Sequence, residues 1–336
     1  MQDATAGLTL LVAAGIMNAS FTLPMKFTKK WAWENTWTVW TVFALLILPS
    51  LAAFLTISNL GTVYAKAGAD NVILVVLSGF AWGVAQVLFG LAVNAIGIAL
   101  GFAIVLGLSA AIGSLIPLIR LHPEKIFTPA GLAAISGLVL VIVGVSVCAV
   151  AGRKRERVLG KVEEHKMSFS AGLACAILSG ICAAAMNFGV AFGGALTRAA
   201  EGEGASPVWS INAVWLPLMV AGAIPSLFYC IYLMRKNKTS KYFSIAGTST
   251  YWPLAGLMAL LWFASTLMYG VASWKLGELG TVLGWPLFMS LIVITASVLG
   301  IVTGEWKDTG KTPLRVQMTG AGILVLAVIV LSRAGL

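Results

Sequence analysis

Ten stretches of this chain are long and apolar enough to cross a lipid bilayer, and that feature fixes the solvent in which it folds. A crossing helix needs roughly 20 mainly apolar residues, because the hydrocarbon core is about 30 Å thick. Inside that core every backbone N–H and C=O must find its partner within the segment. Segments meeting the requirement run over 5–24, 36–57, 71–95, 97–119, 129–151, 169–193, 208–233, 251–274, 279–301 and 317–332. Hydrophobic residues make up 59% of the 336 and charged residues 10%, far from soluble usage. The expectation is an all-α integral membrane protein with ten transmembrane helices and no soluble domain able to fold alone. Asp3, and no Lys or Arg, precedes the first segment, so it reads as a retained helix and not as a cleaved leader, which wants a basic start.

Sixteen of the 22 Lys and Arg residues fall after odd-numbered segments. They are Lys26, Lys29 and Lys30; Arg153, Lys154, Arg155, Arg157, Lys161 and Lys166; Arg235, Lys236, Lys238 and Lys241; and Lys307, Lys311 and Arg315. Lys66, Arg120, Lys125, Arg198, Lys275 and Arg333 make up the rest. Cationic side chains resist translocation, which places the odd loops in the cytoplasm and both termini outside. The net charge of +10 is thereby topology, spread over short loops, and not a nucleic-acid footprint.

The chain repeats itself. Trp82-Gly-Val-Ala-Gln-Val-Leu-Phe-Gly90-Leu-Ala92, followed by Gly97, is echoed by Trp262-Phe-Ala-Ser-Thr-Leu-Met-Tyr-Gly270-Val-Ala272, followed by Gly277. Trp, the aromatic-Gly pair, Ala and the later Gly recur at one offset. Ala14-Gly-Ile-Met-Asn-Ala19 and Ser179-Gly-Ile-Cys-Ala-Ala184 echo more faintly. Segments 3 and 8 are five crossings apart, so equivalent segments run in opposite directions. Two inverted five-helix halves, 1–151 and 169–336, joined by the basic linker 152–168, form a transporter architecture with substrate near the midplane. Glycines spaced along one face, such as Gly131, Gly137 and Gly144, suit close helix packing in lipid.

Polar residues at the depth of the hydrocarbon core are costly and should face the interior. Those at mid-depth are Asn18, Gln86, Asn187, Ser265, Thr266 and Tyr269, with the tryptophans Trp82, Trp262 and Trp285. Gln86 follows Trp82 by four residues and Tyr269 follows Ser265 by four, so each pair shares a helix face. An aromatic ring beside an amide or hydroxyl suits a sugar, which offers C–H faces for stacking and hydroxyls for hydrogen bonds; the same pairing also serves as interhelical glue. Trp31, Trp33, Trp37, Trp209, Trp252 and Trp306 read as headgroup-level belt residues. Acids are scarce. Glu34, at the head of segment 2 near Lys26, Lys29 and Lys30, is the candidate proton carrier, since burial raises a carboxyl pKa and a nearby ammonium lowers it. Helix capping and lysine neutralisation explain the same position. Glu278 is a second candidate, and sodium held by backbone carbonyls is a further option. Cys148, Cys175, Cys182 and Cys230 match no metal spacing, and no metal or cofactor is expected. A membrane enzyme would need a nucleophile–base pair, paired acids or a metal cluster at helix depth, none of which the segments provide, so no enzyme is expected.

The run Pro24-Met-Lys-Phe-Thr-Lys-Lys-Trp-Ala-Trp33-Glu34-Asn-Thr-Trp37, the stretch from Phe80 to Gly97, Tyr269, Trp285 with Ser290, and Glu305-Trp-Lys-Asp-Thr-Gly310 resemble the L-rhamnose–proton symporter family of the drug/metabolite transporter superfamily. The resemblance covers the chain in order. It implies ten helices in two inverted halves and proton-coupled uptake of L-rhamnose or a related 6-deoxyhexose across the bacterial inner membrane. Leu88, Ala95, Gly284 and the segment after Gly277 depart from the family pattern, which leaves the sugar open. The expected partners are a small sugar, protons and the bilayer, with no nucleic acid. The alternative is an exporter or facilitator of another small metabolite in the same superfamily.

Overall fold

The computed structural model describes residues 3–160 and 167–335. Lys161, Glu163, Glu164, His165 and Lys166, all within the expected linker 152–168, lie outside the described residues. Among the described residues ten helices have the length and composition to cross a membrane. They are α1 (Ala4–Phe27), α2 (Trp33–Thr56), α3 (Ala69–Ile96), α4 (Ile98–Leu121), α5 (Pro129–Val158), α6 (Phe169–Gly202), α7 (Asn212–Asn237), α8 (Tyr251–Lys275), α9 (Gly280–Val302) and α10 (Lys311–Gly335). A short helix, Leu60–Ala67, lies between α2 and α3.

Local chemistry sets the helix starts. The Asp3 carboxylate accepts from the Ala6 N–H at 3.0 Å, and the Thr128 hydroxyl accepts from Gly131 N–H at 3.2 Å with Pro129 at the first helical position. Both satisfy N–H groups that a helix start leaves open. α5 runs two turns further than the apolar stretch suggests, so Arg153, Lys154, Arg155 and Arg157 ride on helix and not on a free loop. Long cationic side chains reach the interface from such a position while their backbone stays bonded. α10 likewise begins at Lys311, and α6 continues past Gly193 to Gly202.

Three helices are irregular. α1 ends in a 3₁₀ turn at Leu23–Phe27 that holds Pro24. α2 widens into a π-helical stretch at Val42–Ile47. α6 is interrupted at Ala184, near its middle, and again at Gly193. Irregular backbone at this depth is tolerated only where it is enclosed by protein or lines a cavity.

Helix packing has the same pattern in both halves. α1 packs on α8 as α6 packs on α3, and α1 on α9 as α6 on α4. α4 packs on α5 as α9 on α10, and α3 on α7 as α8 on α2. The most extensive pairing, α5 with α10, maps onto itself. The turn from α3 to α4 hinges on Gly97 at φ 84°, and the turn from α8 to α9 on Gly277 at φ 80°. Such angles suit glycine at these sharp reversals, and the two stand at equivalent places in the repeat. Glycine also sets the helix spacing. A Cβ on Gly137 or Gly144 of α5 would meet Leu331 or Leu324 of α10 at 2.6 and 2.7 Å. On Gly79 or Gly83 of α3 it would run into the backbone of Leu218 and Gly222 of α7. In lipid, where apolar burial supplies no drive between helices, such approach supplies the dispersion contacts.

Polar contacts sort the loops into two ends. Lys26 and Arg155 both reach Glu305, at 3.0 and 3.3 Å, and Lys30 donates to the Ala246 carbonyl at 3.0 Å. Those residues define the basic end. At the opposite, N-terminal end, Asp3 N–H donates to the Lys275 carbonyl at 3.2 Å, Lys66 pairs with Glu203, and Lys125 pairs with Glu278.

Candidate functional site

The nine expected substrate residues form one band across the middle of the bundle, in two groups. On the N-terminal side Asn187 is fully buried just past the interruption in α6. Its Nδ2 donates to the carbonyls of Gly113 in α4 at 2.7 Å and Thr281 in α9 at 3.0 Å. Its Oδ1 accepts from the Tyr269 hydroxyl of α8. Tyr269, also fully buried, stacks on Phe288 at 5.2 Å and meets Trp285 edge-on at 5.4 Å. The Trp285 indole N–H donates to Ser109 O at 3.0 Å. Both amide hydrogens of Asn187 are engaged, so the residue joins α4, α6, α8 and α9 as a clamp.

Toward the basic end, Asn18 of α1 donates through Nδ2 to Ser265 Oγ of α8 at 2.9 Å. Ser265 and Thr266 both turn back to the Trp262 carbonyl, at 2.6 and 3.0 Å. Trp262 stacks on Trp82 of α3 at 5.5 Å, and Gln86 follows one turn along. Asn18 and Gln86 are only half-buried, and among the described residues Gln86 has no side-chain hydrogen bond.

Burial shows which end is shut. On the inner face of α1, Gly7, Leu11, Ala14 and Gly15 are buried, whereas Asn18 is half-buried and Thr22 exposed on the same face. On α3, Val75, Ser78, Gly79, Trp82 and Gly83 are buried, and Gln86, Gly90 and Val93 are not. Along α9 every residue from 282 to 290 is buried, and every residue from 291 to 295 keeps partial exposure. Five consecutive positions sample all sides of a helix, so the change concerns depth and not one lipid-facing stripe. The bundle is sealed from the clamp to the N-terminal end; just past the clamp α1, α3 and α9 carry half-buried inner positions, and Ala92, Ala95, Ile96, Ser297, Trp31 and Glu34 are buried again nearer the basic end.

Glu34 is the one buried carboxylate among the described residues, 4% exposed. Its expected lysine partners are elsewhere: Lys26 meets Glu305, and Lys30 meets the Ala246 carbonyl. Glu34 Oε1 instead accepts from Asn237 Nδ2 at 3.0 Å and from Thr239 Oγ at 2.7 Å, where α7 ends. The lysines were close in sequence, but the chain turns through Leu23–Phe27 before α2 starts, and the acid faces α7.

Glu278 sits at the N-terminal end against Lys125. The Lys125 hydrogen bond and then its charge hold the Glu278 carboxyl below its ordinary 4.5. A depressed carboxylate supplies its pairing above the unfolded pKa and loses it only as the pH falls through the lower folded value. Glu278 is therefore ionised throughout the neutral range. The pH profile of transport in Glu278→Gln should match the wild type above pH 5; a displaced profile would return Glu278 to the proton path.

Among the expected belt residues, Trp33, Trp209 and Trp252 are exposed, but Trp31 is buried edge-on against Phe243, Tyr251 and Trp252. Trp37 belongs to an inward row: Trp33, Trp37 and Trp40 follow each other at 5.1 and 4.5 Å, and Trp40 meets Trp262 at 5.2 Å. Sequence reading passed over Trp40. The spacing 33, 37, 40 keeps one helix face, and that periodicity was the available signal.

The family model of the L-rhamnose-proton symport protein matches residues 2–335. The L-rhamnose-proton symporter of Mannheimia succiniciproducens is 28% identical over 319 residues, covering 92% of each chain. Those of Escherichia coli and Yersinia pestis are 27% and 28% identical over 316 residues, with 92% of each chain covered. With the match running nearly end to end over a ten-helix bundle, the chain belongs to the L-rhamnose-proton symport protein family.

Proposed function

We propose that this protein takes up a small sugar, L-rhamnose or a related 6-deoxyhexose, together with a proton across the bacterial inner membrane. The sugar sits between the two halves, at the band formed by α1, α3, α6 and α8, and is exposed to each side in turn. Positions 1–151 and 169–336 form the inverted halves. The excess of Lys and Arg at one end argues for that end in the cytoplasm and both termini outside, so the sealed side described above faces outward.

The observation that carries the reading is the half-buried amide pair, Asn18 and Gln86, beside the Trp82–Trp262 stack just past the sealed side of the bundle. Hydroxyl-binding amides next to aromatic faces are what a carrier of a polyhydroxylated solute requires. The names of the relatives point to L-rhamnose as the sugar and to the proton as the coupling ion. Uptake of labelled L-rhamnose and other hexoses into proteoliposomes, with and without an imposed pH gradient, tests both. Accumulation that survives collapse of the gradient removes the proton, and no saturable uptake of any monosaccharide removes the sugar.

Gln86 gives a sharper local test. Its side chain makes no hydrogen bond among the described residues, so Gln86→Ala should leave the melting temperature unchanged. Losing one sugar hydrogen bond, at about 1 kcal/mol, should weaken binding roughly fivefold to tenfold. A titration showing the wild-type dissociation constant would take Gln86 out of the site.

A further inference from the structure

Among the described residues three tryptophans, Trp31, Trp40 and Trp215, keep a buried indole N–H with no hydrogen-bond partner. A polar group left in this condition costs free energy, so each needs an explanation. Trp215 packs against Gly270, its Nε1 2.9 Å from where a Cβ there would stand, on the sealed N-terminal side of the clamp. Trp31 is enclosed by Phe243, Tyr251 and Trp252 at the basic end, away from the band. Trp40 is different. It is 2% exposed, and its ring touches Trp262 at 5.2 Å and Phe21 at 5.8 Å. Those two contacts stand one turn from Ser265 and from Asn18, which are bonded to each other. Trp40 thus completes the aromatic wall on which the half-buried amides border. It also lies just before the π-helical stretch Val42–Ile47, a distortion that clusters at functional sites and re-aims the residues around it.

We infer that Trp40 is a direct sugar-binding residue, whose indole N–H donates to a hydroxyl of the bound sugar and helps select which sugar is carried. The inference rests on the sugar reading above and adds a residue from α2 to a site otherwise drawn from α1, α3, α6 and α8. Among the described residues no protein group accepts from this donor, and a hydroxyl of the bound sugar satisfies it. One face of the Trp262 ring is taken by Trp82, so recognition at this wall comes from ring edges and the indole donor as well as from stacking.

The test uses the full-length protein in lipid nanodiscs, titrated with L-rhamnose, its monodeoxy analogues and other hexoses. Trp40→Phe keeps an aromatic ring and removes the donor. It should bind the preferred sugar about tenfold more weakly than the wild type. For the one analogue that lacks the bonded hydroxyl, variant and wild type should bind alike, a pattern that general damage to packing would not produce. Equal affinity of Trp40→Phe and wild type for the parent sugar overturns the assignment of Trp40 alone. Failure of the wild type to bind any monosaccharide overturns the sugar reading and this inference with it. If Trp40→Phe is not recovered folded, a diazirine-bearing sugar photolysed on the wild type decides. Label on the peptide containing Trp40 supports the inference, and label confined to other helices overturns it.

Discussion

Replacing Asn187 by alanine should unseal the N-terminal end of the bundle. The substitution removes two hydrogen bonds to backbone carbonyls and strips the Tyr269 hydroxyl of its acceptor, all in a fully buried place. Interhelical hydrogen bonds in membranes average about 0.6 kcal/mol and reach 1–2, and the groups left bare add their own penalty. The sum is about 3 kcal/mol, or roughly a hundredfold in the equilibrium between states closed and open at that end. Ser273, buried one turn beyond Tyr269 toward the N-terminal end, is a suitable reporter. With the four native cysteines replaced, Ser273→Cys should react slowly with an impermeant maleimide added from outside. Adding Asn187→Ala should raise that rate by one to two orders of magnitude. If Asn187 were a sugar ligand and no clamp, labelling would stay slow while sugar affinity fell, and the proposed seal would have to be abandoned.

That distinction between clamp and ligand is where sequence reading stopped. Period and composition make ten crossings legible, and the shared offset of Trp82 with Trp262 and of Gly97 with Gly277 marks residues that meet an equivalent demand. Gly97 and Gly277 must turn with positive φ, and the two tryptophans stack on each other across the halves. Mid-depth polar residues could be picked out by their cost in lipid. Whether their hydrogen bonds go to protein or remain open depends on residues 74 to 247 positions away, such as Gly113 for Asn187 and Ser265 for Asn18, and no local pattern encodes that. Glu34 shows the same limit. Its sequence neighbours are lysines, yet its partners come from about 200 residues later. Trp40 was hidden for another reason: an orphan indole N–H is a property of the packed bundle and cannot be seen in the chain.

Glu34→Gln should abolish concentrative uptake while leaving sugar binding within about twofold of the wild type. Carrying a proton into a bilayer needs a carboxyl shielded from water, and among the described residues Glu34 alone is buried. Two neutral donors, Asn237 and Thr239, hold it, and among the described residues no ammonium pairs with it. A fixed cation would pin the carboxylate in its charged form. Neutral donors at the end of α7 can instead be withdrawn if α7 shifts against α2, which changes the relative cost of charged and neutral Glu34 between conformations. Glutamine has the same shape and still offers an oxygen to both donors, so the fold should persist. What is lost is the exchangeable proton. One pH unit across the membrane stores about 1.4 kcal/mol per proton, enough for about tenfold accumulation at one proton per sugar. In the variant the internal-to-external ratio should fall to one under the same gradient, while exchange of labelled for unlabelled sugar continues. A variant that still concentrates sugar about tenfold clears Glu34 and moves the proton to a group outside the buried acids. Loss of exchange together with accumulation would mark Glu34 as structural, since a coupling residue is needed only when sugar moves uphill.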